Sequence, residues 1–147
     1  MITTIANEIY WLILTATLTG LLSVVYVLNI IVKQWPGKGL NVLYSPPEPG
    51  EDRFAWQWGN RAYSAHMNAV ENLVVFASLA IAVHVTDSGN AATAMACEIY
   101  FWARLIHAVF YIFGVPYVRT ISWTVGLIGT LTLAYQLLFL TIINSTK

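Results

Sequence analysis

The sequence predicts an all-α membrane protein, a single domain of four transmembrane helices arranged as an up-and-down bundle. Of its 147 residues, 58% are hydrophobic and only 10% are charged, whereas about a quarter of an ordinary soluble domain is charged. Four apolar stretches are each long enough to cross a hydrocarbon core of about 30 Å as a helix. Two of the connections between them are short and contain helix breakers, which favours antiparallel neighbours.

The four predicted spans cover approximately residues 7–33, 59–85, 91–113 and 117–143. The first and the fourth contain long uncharged runs, from Ile9 to Val32 and from Thr120 to Ile143. The second begins semi-polar and ends strongly apolar, and the third is apolar apart from Glu98, Arg104 and His107. Each span reaches the length of about 20 mostly apolar residues that a transmembrane helix requires.

The connections predict the orientation of the helices. Residues 86–90 and 114–116 form short turns, and the long proline-rich connection 33–58 is predicted to be an interfacial loop. Basic residues lie at the first and third connections, namely Lys33, Lys38, Arg53, Arg61 and Arg119. Because Lys and Arg accumulate on the cytoplasmic side, both termini are expected to face away from the cytoplasm. Lys147 is the one basic residue that opposes this orientation.

Polar side chains in the second and third spans predict a site inside the bilayer, because ionisable groups there are costly and mark function or internal pairing. Spacings of three and four residues place on one face of the second span Arg61, Ser64, Asn68, Glu71 and Asn72. The same spacings align on the third span Cys97, Tyr100, Arg104, His107 and Tyr111. Both stripes run towards the end that holds Arg119, so the polar groups are expected to converge at cytoplasmic depth.

This convergence has two interpretations. The polar residues can hydrogen-bond one another across the helices and fix the packing register. Alternatively, they bind an anion-bearing molecule, with guanidinium groups for carboxylates or a thiolate and with Asn and Glu side chains for amide and ammonium groups. The number of such residues at one depth favours binding.

Other classes of function are not indicated. Seven basic and seven acidic residues balance, so the chain lacks the basic field that binds nucleic acid. The three histidines are spread along the chain and the single Cys97 lies in an apolar stretch. Neither a metal centre nor a disulfide framework is therefore predicted, and the thiol is expected to pack in the interior. The sequence also lacks serine-hydrolase, zinc-protease and phosphate-loop motifs.

Two segments carry a family resemblance. The segment from Arg61 to Phe76, RAYSAHMNAVENLVVF, resembles the helix 2 signature of the MAPEG family, the membrane-associated proteins in eicosanoid and glutathione metabolism. That signature follows the approximate pattern E-R-x-x-R-A-H-x-N-x-x-E-N. The segment from Ala103 to Trp123 resembles the end of the third helix, the turn and the start of the fourth in the same family.

The resemblance implies a homotrimer with a glutathione site between neighbouring subunits, open to the cytoplasm of a bacterial inner membrane or microsomal-type membrane. The implied activity is glutathione transfer to a hydrophobic electrophile, or glutathione-dependent reduction of a lipid hydroperoxide. The positions that match the helix signatures and glutathione contacts are Arg61, His66, Asn68, Glu71, His107 and Tyr111, to which the polar stripe adds Arg104. Arg119 matches the arginine that stabilises the glutathione thiolate, and Thr120 lies where some members carry serine, so these two are the expected catalytic residues.

The sequence departs from the family pattern at Asn60, Ser64, Ala69 and Trp123. At Ser64 the pattern has an arginine, and its loss removes a carboxylate partner that Lys33 or Arg53 would have to replace. A second hypothesis is therefore a non-catalytic member of the same fold, a structural or ligand-holding subunit of a membrane assembly. Thiol-dependent turnover of a generic electrophile distinguishes the two hypotheses.

Overall fold

The computed structural model describes residues 6–39, 41, 54 and 56–145, with side chains described up to residue 139. The described chain forms four helices, α1 (Asn7–Lys38), α2 (Gln57–Val85), α3 (Ala91–Phe113) and α4 (Pro116–Ser145). Each contains a segment long and apolar enough to cross a membrane. The predicted class, an all-α bundle of four membrane-spanning helices, is confirmed.

The end of α1 differs from the prediction. The helix continues to Lys38, about five residues beyond the predicted end, and contains Pro36 in its last turn. Proline removes one backbone donor from a helix, but here the loss falls close to the end, where the N–H of Gly39 bonds the carbonyl of Trp35. The first connection therefore begins later than expected, and most of it, including Arg53, lies outside the described residues. The other helix ends differ from the prediction by at most two residues.

The helices run up and down in chain order. On α2 and α3, Phe76 stacks on Tyr100 with ring centroids 3.7 Å apart, whereas Arg61, earlier on α2, bonds the carbonyl of Ile112, later on α3. This inversion establishes an antiparallel pair, and it recurs between α1 and α2 and between α3 and α4. Within the described residues, α1 also packs on α3 and α4 on α2, while α1 and α4 are not in contact.

The core lies along α3. Its larger cluster contains Phe76, Ala80, Val83, Ala96, Cys97, Tyr100 and Leu133. The backbones of α3 and α4 pack closely, because a Cβ added to Gly129 would lie 2.9 Å from the carbonyl oxygen of Ala96. Small residues allow helix backbones in a membrane to approach this closely, and van der Waals packing then stabilises the pair. The tight α3/α4 pair forms one wall of the candidate site.

Candidate functional site

A pocket of about 300 Å³ lies between α2, α3 and α4 at the end of the bundle where α3 ends and α4 begins. The side chains that line it are Asn68, His107, Tyr111, Arg119, Thr120 and Trp123. Five of these six residues were predicted as site residues. The exception is Trp123.

The turn between α3 and α4 brings Arg119 opposite His107. Gly114 adopts the left-handed conformation, with a φ of 78°, and its N–H bonds the carbonyls of Phe110 and Tyr111. This is the usual role of glycine just after a helix, because a Cβ is disfavoured at positive φ. Pro116 then starts α4 at once, since a first-turn position needs no backbone donor.

His107 ties the two helices together. Its Nδ1 lies 2.9 Å from the backbone oxygen of Arg119, and because a carbonyl only accepts, Nδ1 is the donor. The imidazole is almost entirely buried. Its other ring nitrogen, Nε2, is buried without a partner among the described residues, so it can bond a group that enters the pocket.

The guanidinium of Arg119 lies over the ring of Tyr111, with 4.5 Å from Cζ to the ring centroid. This is within cation–π range. The ring of Tyr111 in turn meets the imidazole of His107 edge to face at 5.5 Å. The guanidinium of Arg119 is thus positioned by the aromatic ring of Tyr111. Among the described residues, no carboxylate lines the pocket to pair with it.

Arg104 forms the inner boundary of the site. Its NH2 group donates to Oδ1 of Asn68 over 2.6 Å, and the residue is only 4% exposed. Its Nε has no partner among the described residues. A buried charge is tolerated only when it is well bonded, so the Asn68 bond fixes the amide that lines the pocket.

Four of the predicted binding residues do not line this pocket: Arg104 lies behind Asn68, to which it is bonded, and the other three lie elsewhere. Nε of Arg61 donates to the carbonyl of Ile112 over 2.7 Å and holds the end of α3. His66 faces α1, where its Nδ1 lies 3.0 Å from the carbonyl oxygen of Thr19. Glu71 is exposed. The single chain therefore gathers Asn68, Arg104, His107, Tyr111, Arg119 and Thr120, but not Arg61, His66 or Glu71.

Trp123 lines the pocket but stands out in the sequence only as a departure from the family pattern, and not as a site residue. It lies four residues after Arg119, so the two side chains share a face of α4. That spacing was the signal available in the sequence. As for metals, the described residues contain no group of three His, Cys, Asp or Glu side chains placed to hold an ion.

Comparison with known proteins identifies a family for this chain. The model of the MAPEG family matches residues 9–139, nearly the whole chain. A search of curated proteins found no match. The matched range holds the greater part of all four helices and every residue that lines the pocket. The chain belongs to the MAPEG family.

Proposed function

We propose that this protein is a membrane-bound glutathione transferase or peroxidase whose reaction takes place in the pocket at Arg119. The observation that supports this most is that a guanidinium, a phenol and an imidazole line one pocket, next to buried nitrogens of Arg104 and His107 that have no partner among the described residues. An anionic, amide-rich tripeptide supplies the charge and the acceptors that the guanidinium groups need, and N–H donors for Nε2 of His107, which accepts because Nδ1 is the donor.

Asn68 and Tyr111 are assigned to binding. Oδ1 of Asn68 already accepts from Arg104, so its amide nitrogen can donate to a carboxylate or carbonyl of the tripeptide. The hydroxyl of Tyr111 and Nε2 of His107 provide further polar contacts at the same depth. Arg104 acts through Asn68, as a positioning residue.

A homotrimer would complete the site. Glu71 lies one helical turn from Asn68, is exposed, and has no hydrogen bond or ion pair with any described residue. An unpaired carboxylate on a membrane-spanning helix is costly. A neighbouring subunit that covers this face of α2 would shield Glu71 from lipid. The carboxylate of Glu71 would then bind the ammonium group of the tripeptide. The pocket end would face the cytoplasm, as the basic connections indicate.

Arg119 is assigned the activation of the thiol, because a cation beside sulfur favours the thiolate, which is the nucleophile. In transfer, the sulfur bonds to the electrophilic carbon as the leaving group departs. In peroxide reduction, two glutathione molecules become a disulfide while the hydroperoxide becomes an alcohol and water. The hydroxyl of Thr120 donates to the carbonyl of Pro116 over 3.1 Å, which leaves its lone pairs to accept a hydrogen bond from the thiol. The proton itself passes to water when the thiolate forms.

Turnover by the purified protein tests this proposal, with chlorodinitrobenzene and a lipid hydroperoxide as substrates. Arg119→Ala should lower turnover about ten- to a hundred-fold, because a charge-assisted contact worth roughly 1.5–3 kcal/mol is lost. Lys38→Ala is the matched control, since it removes a cation at the same end of the bundle but outside the pocket. Wild-type protein that turns over neither substrate would refute the proposal.

The second candidate is a non-catalytic, structural or ligand-holding subunit, and Ser64 favours it. A serine cannot bind a carboxylate with the two-pronged geometry of the arginine in the family pattern. Calorimetry with glutathione separates the candidates. Binding without turnover supports a ligand-holding subunit, and absence of binding leaves only the structural role.

A further inference from the structure

A second binding region lies along the outer side of α3, away from the pocket at Arg119. A cavity of about 370 Å³ between α3 and α4 is lined mainly by apolar side chains, among them Trp102, Ile106, Ile121 and Val125. A cavity of about 510 Å³ lies between the starts of α1 and α3 and includes Tyr10, Trp11 and Met95. Glu98 lines both cavities, and we call them together the α3 groove.

Glu98 is an unusual residue at this place. It is the eighth residue of α3, so it lies roughly 10 Å along the axis from the start of the helix. Its side chain is exposed, and it has no hydrogen bond or ion pair with any described residue. A carboxylate on the outer face of a membrane-spanning helix is costly unless a cation accompanies it.

The chain itself offers Glu98 no such cation among its described lysines and arginines. The nearest along α3 is Arg104, about 9 Å further on, which is buried and bonded to Asn68. The others lie at the opposite end of the bundle, namely Lys33, Lys38, Arg61 and Arg119. A second copy in the same orientation would carry these cations at the same distant depth, so it would not neutralise Glu98 with them.

The surroundings of Glu98 suit the head of a cationic amphiphile. Trp102 lies one turn further along the same face and is half exposed, and Tyr10 and Trp11 lie in the adjoining cavity. A carboxylate flanked by aromatic faces binds ammonium groups through charge and cation–π attraction. From Glu98 to Ile106 the groove continues for about 12 Å along α3. This length provides an apolar surface on which a hydrocarbon tail can pack.

We propose that the α3 groove binds a single-tailed amphiphile with an amine or quaternary ammonium head, with the head at Glu98 and the tail between α3 and α4. An anionic head would be repelled by Glu98, and a neutral head would leave the carboxylate unpaired. The groove shares no lining residue with the pocket at Arg119. The proposal therefore does not depend on glutathione chemistry.

The test uses the full-length protein in nanodiscs of an uncharged glycolipid, which carries no ammonium group, and three probes with the same dodecyl tail, brominated at its end. Their heads are trimethylammonium, carboxylate and hydroxyl. Bromine quenches nearby tryptophan, and the difference between the wild type and Trp102→Phe reports the groove. After correction for partition into lipid, the cationic probe should bind about ten-fold more tightly than the hydroxyl probe.

Glu98→Gln keeps the shape of the side chain but removes its charge. It should reduce the affinity for the cationic probe to that for the hydroxyl probe. Asp87→Asn is the matched control, because it removes an exposed carboxylate at the same end of the bundle but outside the groove, and it should change nothing. Val125→Phe narrows the groove and should weaken quenching by every probe. Circular dichroism checks that each variant is folded.

Equal quenching by the three probes in the wild type would overturn the proposal, as would Glu98→Gln that binds the cationic probe as well as the wild type. An equal loss in Asp87→Asn would also overturn it, since the attraction would then come from the general surface charge. No quenching of Trp102 by any probe would overturn the proposal as well, because another occupant, such as a second copy, would then cover the groove.

Discussion

Removing the acceptor of a buried guanidinium should destabilise this protein measurably. Arg104 is 4% exposed, and its bond to Oδ1 of Asn68 is 2.6 Å long. Asn68→Ala leaves that NH2 group buried without this acceptor, beside an Nε that already has no partner among the described residues. A hydrogen bond to a charged group is worth roughly 1.5–3 kcal/mol. We therefore expect the free energy of unfolding to fall by about 2 kcal/mol.

Reversible unfolding in mixed micelles, followed by circular dichroism, measures this change. Asn72→Ala is the matched control, because its amide is only half buried and donates over 2.8 Å within its own helix, to the carbonyl of Asn68. Asn72→Ala should lower the free energy of unfolding by no more than about 0.5–1.5 kcal/mol, the contribution of a hydrogen bond between neutral groups.

The double variant Asn68→Ala with Arg104→Met removes the buried charge together with its acceptor. It should recover most of the stability lost by Asn68→Ala alone, because an unpaired buried charge is costlier than an apolar replacement. The reasoning is refuted if Asn68→Ala costs no more than Asn72→Ala. It is equally refuted if the double variant is less stable than Asn68→Ala.

Three further predictions concern catalysis, topology and packing. In calorimetry, Arg119→Ala should retain glutathione binding to within about ten-fold while turnover falls, since the other contacts hold the tripeptide; parallel losses would assign Arg119 to binding. A cysteine introduced at Asp87 should react with an impermeant reagent from the external side and one at Gly39 should not, and the reverse pattern would invert the topology. Gly129→Ala should lower stability by about 1–3 kcal/mol, because its Cβ would meet the carbonyl of a neighbouring helix at 2.9 Å, whereas Gly20→Ala, with open space around it, should cost nothing.

The spacing of polar residues predicts part of the candidate site. Asn68 and Arg104 were placed on facing stripes by their three- and four-residue rhythm, and the structure joins them directly. The spacing does not predict that His107 bonds the backbone carbonyl of Arg119. Every residue carries such a carbonyl, so the identity of the side chain at that position gives no sign of the contact.

The resemblance to a family signature predicts which residues matter, but not which way their side chains point. His66 and Asn68 stand two residues apart in the signature, so on a helix they point to nearly opposite sides. His66 accordingly meets α1, while Asn68 lines the pocket. The sequence also does not predict the end of α1, because Pro36 falls in the connection 33–58 that is predicted to be a loop, whereas it lies within the last turn of the helix.

The bond between Asn68 and Arg104 has a consequence for how the chain enters the bilayer during synthesis. Arg104 is the fourteenth of the 23 residues of α3, so it lies near the middle of this span. The ribosome delivers α2 first, and Asn68 is therefore already in place when the guanidinium arrives. The amide then supplies a ready acceptor for a charge that hydrocarbon would reject. Reversing the order of the two helical hairpins in a permuted gene would remove that assistance to insertion.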